Sequence, residues 1–146
     1  MTTKLFDLSG RVAIVTGGNG GIGLGIARGL ADAGANIAVV GRNAAKSAEA
    51  VADLGKRGVK AIAVATDVTD KAAVTAMIER VGNELGRIDI LVNNAGTSIR
   101  KPTHQLELDE WNTVMDTNLT SAFLCSKAAY PALKASGHGK VINIGS

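Results

Sequence analysis

Between Thr16 and Leu24 the chain reads Thr-Gly-Gly-Asn-Gly-Gly-Ile-Gly-Leu. Glycines without side chains let backbone N–H groups approach an anion closely, and a helix starting there adds unpaired donors and a positive dipole end. The position between an apolar strand and an Ala-rich helix is where a dinucleotide pyrophosphate would be cradled. Gly17, Asn19, Gly21, Ile22 and Gly23 are the candidate contacts. A merely tight strand–helix turn is the plainer alternative, because a glycine run this dense matches the general fingerprint by chance.

A second determinant belongs at the end of the next strand, where an acidic side chain would hold the adenosine ribose of NAD. Here the chain reads Val39-Val40-Gly41-Arg42-Asn43, with no carboxylate. Arg42 offers a planar cation suited to a 2′-phosphate, which favours NADP over NAD, unless it is simply a solvated Arg at a helix start.

These residues need a scaffold that brings strand ends together. Short β-branched runs alternate with longer helix-period stretches, the pattern of strand-helix-strand units around a buried parallel sheet. The pattern predicts five strands, at Arg11–Thr16, Asn36–Val40, Lys60–Thr66, Ile88–Asn93 and Lys140–Ile144, each apolar enough to be covered on both faces. Helices are expected at Ile22–Ala33, Ala44–Arg57, Lys71–Leu85 and, as one long element, from about Asp109 to Ala135. Gly34, Gly58, Gly86 and Gly137 stand where left-handed caps would end them. Right-handed crossovers make this an α/β doubly wound, Rossmann-type sheet with its ligand at the strands' carboxyl ends.

Further motifs follow in order: Asp67-Val68 after the third strand, Asp89 ahead of Asn93-Asn94-Ala95-Gly96, Asp116-Thr-Asn118-Leu, and Val141-Ile-Asn-Ile-Gly-Ser146. With the spacing Gly17-x-x-x-Gly21-x-Gly23, the chain resembles the short-chain dehydrogenases/reductases over its whole length. The resemblance implies that Asp67 and Val68 meet the adenine and that Asn94, Ala95 and Gly96 line the ribose side. Taken singly, Asp67 also reads as a helix N-cap residue and Asn93 as a turn residue. Asn118 interrupts an apolar stripe of Trp111, Val114, Met115, Leu119 and Ala122. It therefore reads as a buried Asn that needs partners, and by resemblance as the holder of a water chain behind a catalytic lysine.

The implied reaction is reversible hydride transfer between a nicotinamide and a carbonyl or alcohol carbon. A tyrosine whose pKa is brought down from about 10 by a nearby lysine moves the proton. Ser146 matches the serine that orients the reacting oxygen. The family's Tyr-x-x-x-Lys pair follows that serine, so the expectation is a single-domain protein whose later strands, helices and proton donor lie beyond these residues, and a chain inactive alone. Tyr130-x-x-x-Lys134 precedes Ser146 and adjoins Pro131; Tyr130 reads as helix packing and Lys134 as a last-turn cation. The substrate class suggested is a sugar, sugar acid or oxoacyl compound. Homodimers or homotetramers are the family's habit. A nucleotide-binding module without catalysis is the rival reading, separable by whether a Tyr-x-x-x-Lys follows Ser146.

Bulk properties agree with one globular domain. The 146 residues are 46% hydrophobic and carry a net charge of +3 with both signs dispersed, which argues against a nucleic-acid surface. The N-terminus lacks a secretory h-region and no apolar run could span a bilayer, so a cytoplasmic protein without membrane contact is expected. Cys125 is the lone cysteine and reads as a small buried hydrophobe. His104 and His138 lack metal-ligand spacing, and no metal is expected.

Overall fold

A computed structural model describes residues 4–145. Five parallel strands, β1 (Val12–Thr16), β2 (Asn36–Gly41), β3 (Ala61–Ala65), β4 (Ile90–Asn93) and β5 (Lys140–Asn143), form one sheet in the order β3-β2-β1-β4-β5. The helices are α1 (Gly21–Asp32), α2 (Ala44–Gly55), α3 (Lys71–Leu85), α4 (Leu108–Met115) and α5 (Ser121–Ser136). The five predicted strands and the first three predicted helices are all present, with ends moved by a residue or two.

Strand alternation divides the core into two layers. Val12, Ile14, Val40 and Leu91 point to the side where Val74, Met77 and Val81 of α3 and Cys125, Ala129 and Leu133 of α5 pack. Ala13, Val15, Ile37, Val39 and Val92 point to the opposite side, against Ala27 and Ala31 of α1 and Ala50 and Leu54 of α2. Helices on both faces give the doubly wound architecture, and strand order reverses between β1 and β4. The four expected stop glycines all have left-handed backbones, φ between +72° and +100°. Gly86 and Gly137 follow their helices directly; Gly58 follows Gly55, the end of α2, by three residues.

Asp89 ties the amino end of the sheet together. Its carboxylate is 1% exposed and accepts from Val12 N (2.9 Å), Arg87 Nε (2.8 Å), an Arg87 terminal nitrogen (2.6 Å) and Ser136 Oγ (2.6 Å). Burial pushes its pKa up, but the Arg87, Ser136 and Val12 hydrogen bonds and the Arg87 charge reverse this, holding it at about 2.

Three expectations require correction. The long helix is interrupted: between α4 and α5, Asp116–Thr120 forms a π-helical turn while the backbone remains right-handed. One wide turn shifts the angular register, so the proposed stripe does not face the core together. Trp111 and Leu119 are 53% and 60% exposed, and α5 instead buries Ser121, Cys125, Ala129 and Leu133 at four-residue spacing. Second, among the described residues β5 pairs only with β4, and all four of its residues are exposed there. Third, Tyr130 does not pack, being 60% exposed on the outer side of α5. Cys125 is buried as expected, and desolvation raises its thiol pKa to about 11.

Candidate cofactor cleft

An open cleft of about 670 Å³ lies at the carboxyl ends of the strands. The sequence places Gly17, Asn19, Arg42, Asp67, Val68, Ala95 and Gly96 on its lining, and the structure brings all seven there. Gly21, Ile22 and Gly23 open α1 and, like Asn94 and Asn118, are not on that lining; Ile22 is 70% exposed.

The glycine turn is held by β4. Thr16, 2% exposed, accepts from the backbone N–H groups of Asn94 and Ala95 at 3.0 Å each and donates to Val92 O (3.3 Å). Asn94 Nδ2 donates back to Thr16 O (3.1 Å) and Gly17 O (3.3 Å). Space is tightest at Gly23, where a Cβ would stand 2.1 Å from Gly17 O and 2.5 Å from Asn94 Nδ2. Gly20, the N-cap of α1, provides no side-chain cap. The first N–H groups of α1 therefore keep their donors for an external anion. A glycine-rich turn with uncapped donors fits a dinucleotide pyrophosphate.

The opposite wall is fixed by α2. Asn19 Nδ2 donates to Ser47 Oγ (3.1 Å), and a Cβ on Gly41 would stand 2.5 Å from that same Nδ2. Asn43 caps α2 by accepting from Lys46 N (2.9 Å). Arg42 projects from the end of β2 as an exposed cation without an ion-pair partner among the described residues.

Asp67 does not cap α3; Asp70 does, accepting from Ala73 N. Asp67 accepts instead from Thr69 Oγ1 (2.7 Å) and Thr69 N (2.9 Å). Those bonds, with a smaller contribution from the charge of Arg42, lower its pKa. Asn93 is not a self-satisfied turn residue. Its Nδ2 bridges to Asn143 Oδ1 (2.9 Å) and Ser126 Oγ (3.1 Å), joining β4, β5 and α5, while its Oδ1 is buried without a partner.

Asn118 is exposed, not buried. The π turn carries it to the loop after β4, where it accepts from Thr97 N (2.7 Å), donates to Thr97 O (2.9 Å) and lies 3.2 Å from where a Gly96 Cβ would be. Ser146 lies outside the described residues. Sequence reasoning missed Thr16 as the pin between β1 and β4, Lys46 and Ser47 on the α2 wall, and Asp116 and Thr117 on the π turn. The last four carry no signal until the turn geometry is known; Thr16 is legible only as a polar end to an apolar strand.

The profile of the short chain dehydrogenase family matches residues 11–146. The chain is 39% identical over 140 residues to a gluconate 5-dehydrogenase of Gluconobacter oxydans, covering 96% of this chain and 55% of that protein. It is 39% identical over 141 residues to a 3-oxoacyl-(acyl-carrier-protein) reductase of Escherichia coli, covering 96% of this chain and 56% of that one. Among solved structures, an NAD+-bound xylitol dehydrogenase superposes with a TM-score of 0.89 at 34% identity, covering 92% of this chain and 52% of that chain. The chain thus spans a little over half the length of the proteins it matches. With Gly17, Asn19, Asp67, Val68, Ala95 and Gly96 brought to one cleft and the family profile running from Arg11 onward, this chain belongs to the short-chain dehydrogenase/reductase family.

Proposed function

We propose that residues 1–146 are the dinucleotide-binding part of an oxidoreductase that transfers hydride between NADP(H) and a small alcohol or carbonyl compound. The observation that carries this reading is an uncapped glycine turn facing Arg42, with no carboxylate at the end of β2. A carboxylate there would hold the free ribose hydroxyls of NAD; a guanidinium suits the 2′-phosphate of NADP. The gluconate and oxoacyl relatives support a sugar, sugar acid or oxoacyl substrate.

When bound, the cofactor supplies or accepts hydride at its nicotinamide ring. The chain's own residues bind and orient. Gly17, Asn19, Gly21, Ile22 and Gly23 hold the pyrophosphate, and Arg42 the 2′-phosphate. Asp67 and Val68 face the adenine, while Asn94, Ala95 and Gly96 face the ribose side. Asn118 holds the backbone of Thr97 through two hydrogen bonds and would also hold the water chain behind the lysine that follows Ser146. Ser146 donates its hydroxyl to the reacting oxygen. The proton itself is moved by a tyrosine that follows Ser146, and residues 1–146 alone turn over no substrate. The exposed apolar residues Trp111, Leu119, Phe123 and Tyr130 on α4, the π turn and α5 support homo-oligomerisation through that face.

The test is the pair of dissociation constants for NADPH and NADH, measured with the wild-type protein and with Arg42→Ala. A charge-assisted phosphate contact predicts that the NADPH preference falls about tenfold or more in the variant. An unchanged ratio would remove Arg42 from cofactor choice, and a wild-type preference for NADH would overturn the NADP reading.

A further inference from the structure

We propose that Lys46 is a second cation for the 2′-phosphate and shares cofactor selection with Arg42; the inference rests on the NADP reading above. Lys46 lines the same cleft as Arg42, four residues further on at the first turn of α2. Its chain end lies over the glycine turn. A Cβ placed on Gly20 would be 2.7 Å from both Lys46 Cε and Lys46 Nζ.

Gly20 does not need to be glycine for its backbone, which is extended at φ −175° and ψ 171°. What the missing side chain provides is room, and the Lys46 ammonium occupies it. The start of the Lys46 side chain is fixed in turn. Its backbone N–H bonds to the Asn43 cap, and the following residue, Ser47, is 2% exposed and bonded to Asn19 of the glycine turn.

Charge balance explains why a second cation belongs here. Asp67 faces the same cleft as a carboxylate and already feels the charge of Arg42. A phosphate monoester carries roughly −1.5 to −2 charges at neutral pH. One guanidinium beside one carboxylate leaves that charge largely uncompensated. Among the described residues Lys46, like Arg42, forms no ion pair, so its charge remains available. Its place between Gly20 and the end of β2, where Gly41 packs against Asn19, assigns it to the ribose phosphate. Arg42 then serves as the planar fork and Lys46 as the point charge.

The experiment uses protein expressed from the complete coding sequence and measures dissociation constants for NADPH and NADH in wild type, Arg42→Ala, Lys46→Met and Lys46→Arg. The expected result for Lys46→Met is an NADPH constant raised about tenfold with the NADH constant within about twofold, and substantial recovery in Lys46→Arg. Gly20→Ala should weaken NADPH binding by pushing the ammonium aside, and should add nothing in the Lys46→Met background. Equal losses for both cofactors would overturn the inference in favour of a pyrophosphate or structural role. So would an NADPH preference that Arg42→Ala abolishes but Lys46→Met leaves intact, and in that case the NADP reading would stand. A wild-type protein without NADPH preference overturns both.

Discussion

Asn118 and Thr97 are joined by two reciprocal hydrogen bonds, with Thr97 N donating to Asn118 Oδ1 at 2.7 Å and Asn118 Nδ2 donating to Thr97 O at 2.9 Å. An amide side chain accepts and donates in one plane, so the π turn and the loop after β4 are locked to each other through it. Asn118→Asp keeps the acceptor and loses the donor; Asn118→Ala loses both. Stability is expected to fall by about 1 kcal/mol in the alanine variant, since the pair is exposed to competing water. The sharper readout is hydrogen exchange at the Thr97 amide, which should accelerate in Asn118→Ala and remain protected in Asn118→Asp. Unchanged exchange in the alanine variant would remove the clamp.

Gly23→Ala tests the packing of the turn against β4. Its new methyl group would meet Gly17 O and Asn94 Nδ2, at 2.1 Å and 2.5 Å. The nearer obstacle is backbone and cannot rotate away, so either the turn opens or α1 shifts. Overpacking of this kind costs about 1–3 kcal/mol, and affinity for both dinucleotides should drop together because the donors of α1 move. Urea denaturation and NADPH titration measure the two effects. Unimpaired binding would show that the cradle does not depend on this contact.

Most of the scaffold was legible because it follows from local chemistry. Continuous β-branched runs mark strands packed on both faces, and glycines after Ala-rich stretches mark left-handed helix ends, as Gly86 and Gly137 do. The motif residues of the cleft were legible for the same reason, since they cluster where strands end. The π turn at Asp116–Thr120 was not: a single widened turn leaves composition and apolar spacing unchanged, yet it interrupts the helix and brings Asn118 to Thr97. Lys46 belongs to no motif in the sequence, and its reach to Gly20 appears only in the fold.

Asp89 should make stability fall in acid. Its folded pKa of about 2 lies below the ordinary value of 3.8. A depressed carboxylate contributes stability above its unfolded pKa and loses it as pH falls through the folded one. The difference corresponds to about 2 kcal/mol, present at neutral pH and lost between about pH 4 and pH 2. Asp89→Asn should lower stability at neutral pH and flatten this part of the profile, because an amide cannot pair with Arg87 or shed a charge. Urea unfolding of both proteins across the acid range provides the comparison; parallel profiles would separate Asp89 from the acid sensitivity.

Tyr130 and Lys134 match a Tyr-x-x-x-Lys pattern but stand in the wrong place. The helical stretch that contributes Thr117 to the cleft wall ends at Ser136, whose hydroxyl bonds to Asp89 at the amino end of the sheet. It therefore runs the full depth of the molecule away from the cleft. Thirteen residues separate Thr117 from Tyr130, which at a rise of about 1.5 Å per residue puts Tyr130 about 20 Å down that axis. A general acid must come within hydrogen-bond reach of the reacting oxygen, directly or through one water. Tyr130, 60% exposed on the outer side of α5, cannot meet that requirement at the strands' carboxyl ends. In protein expressed from the complete coding sequence, Tyr130→Phe should leave kcat within about twofold and the pH profile unshifted, since positioned acid–base groups contribute about 10²–10⁴-fold. A fall of that size with the fold intact would reassign the proton donor to α5 and dissociate Ser146 from the reaction.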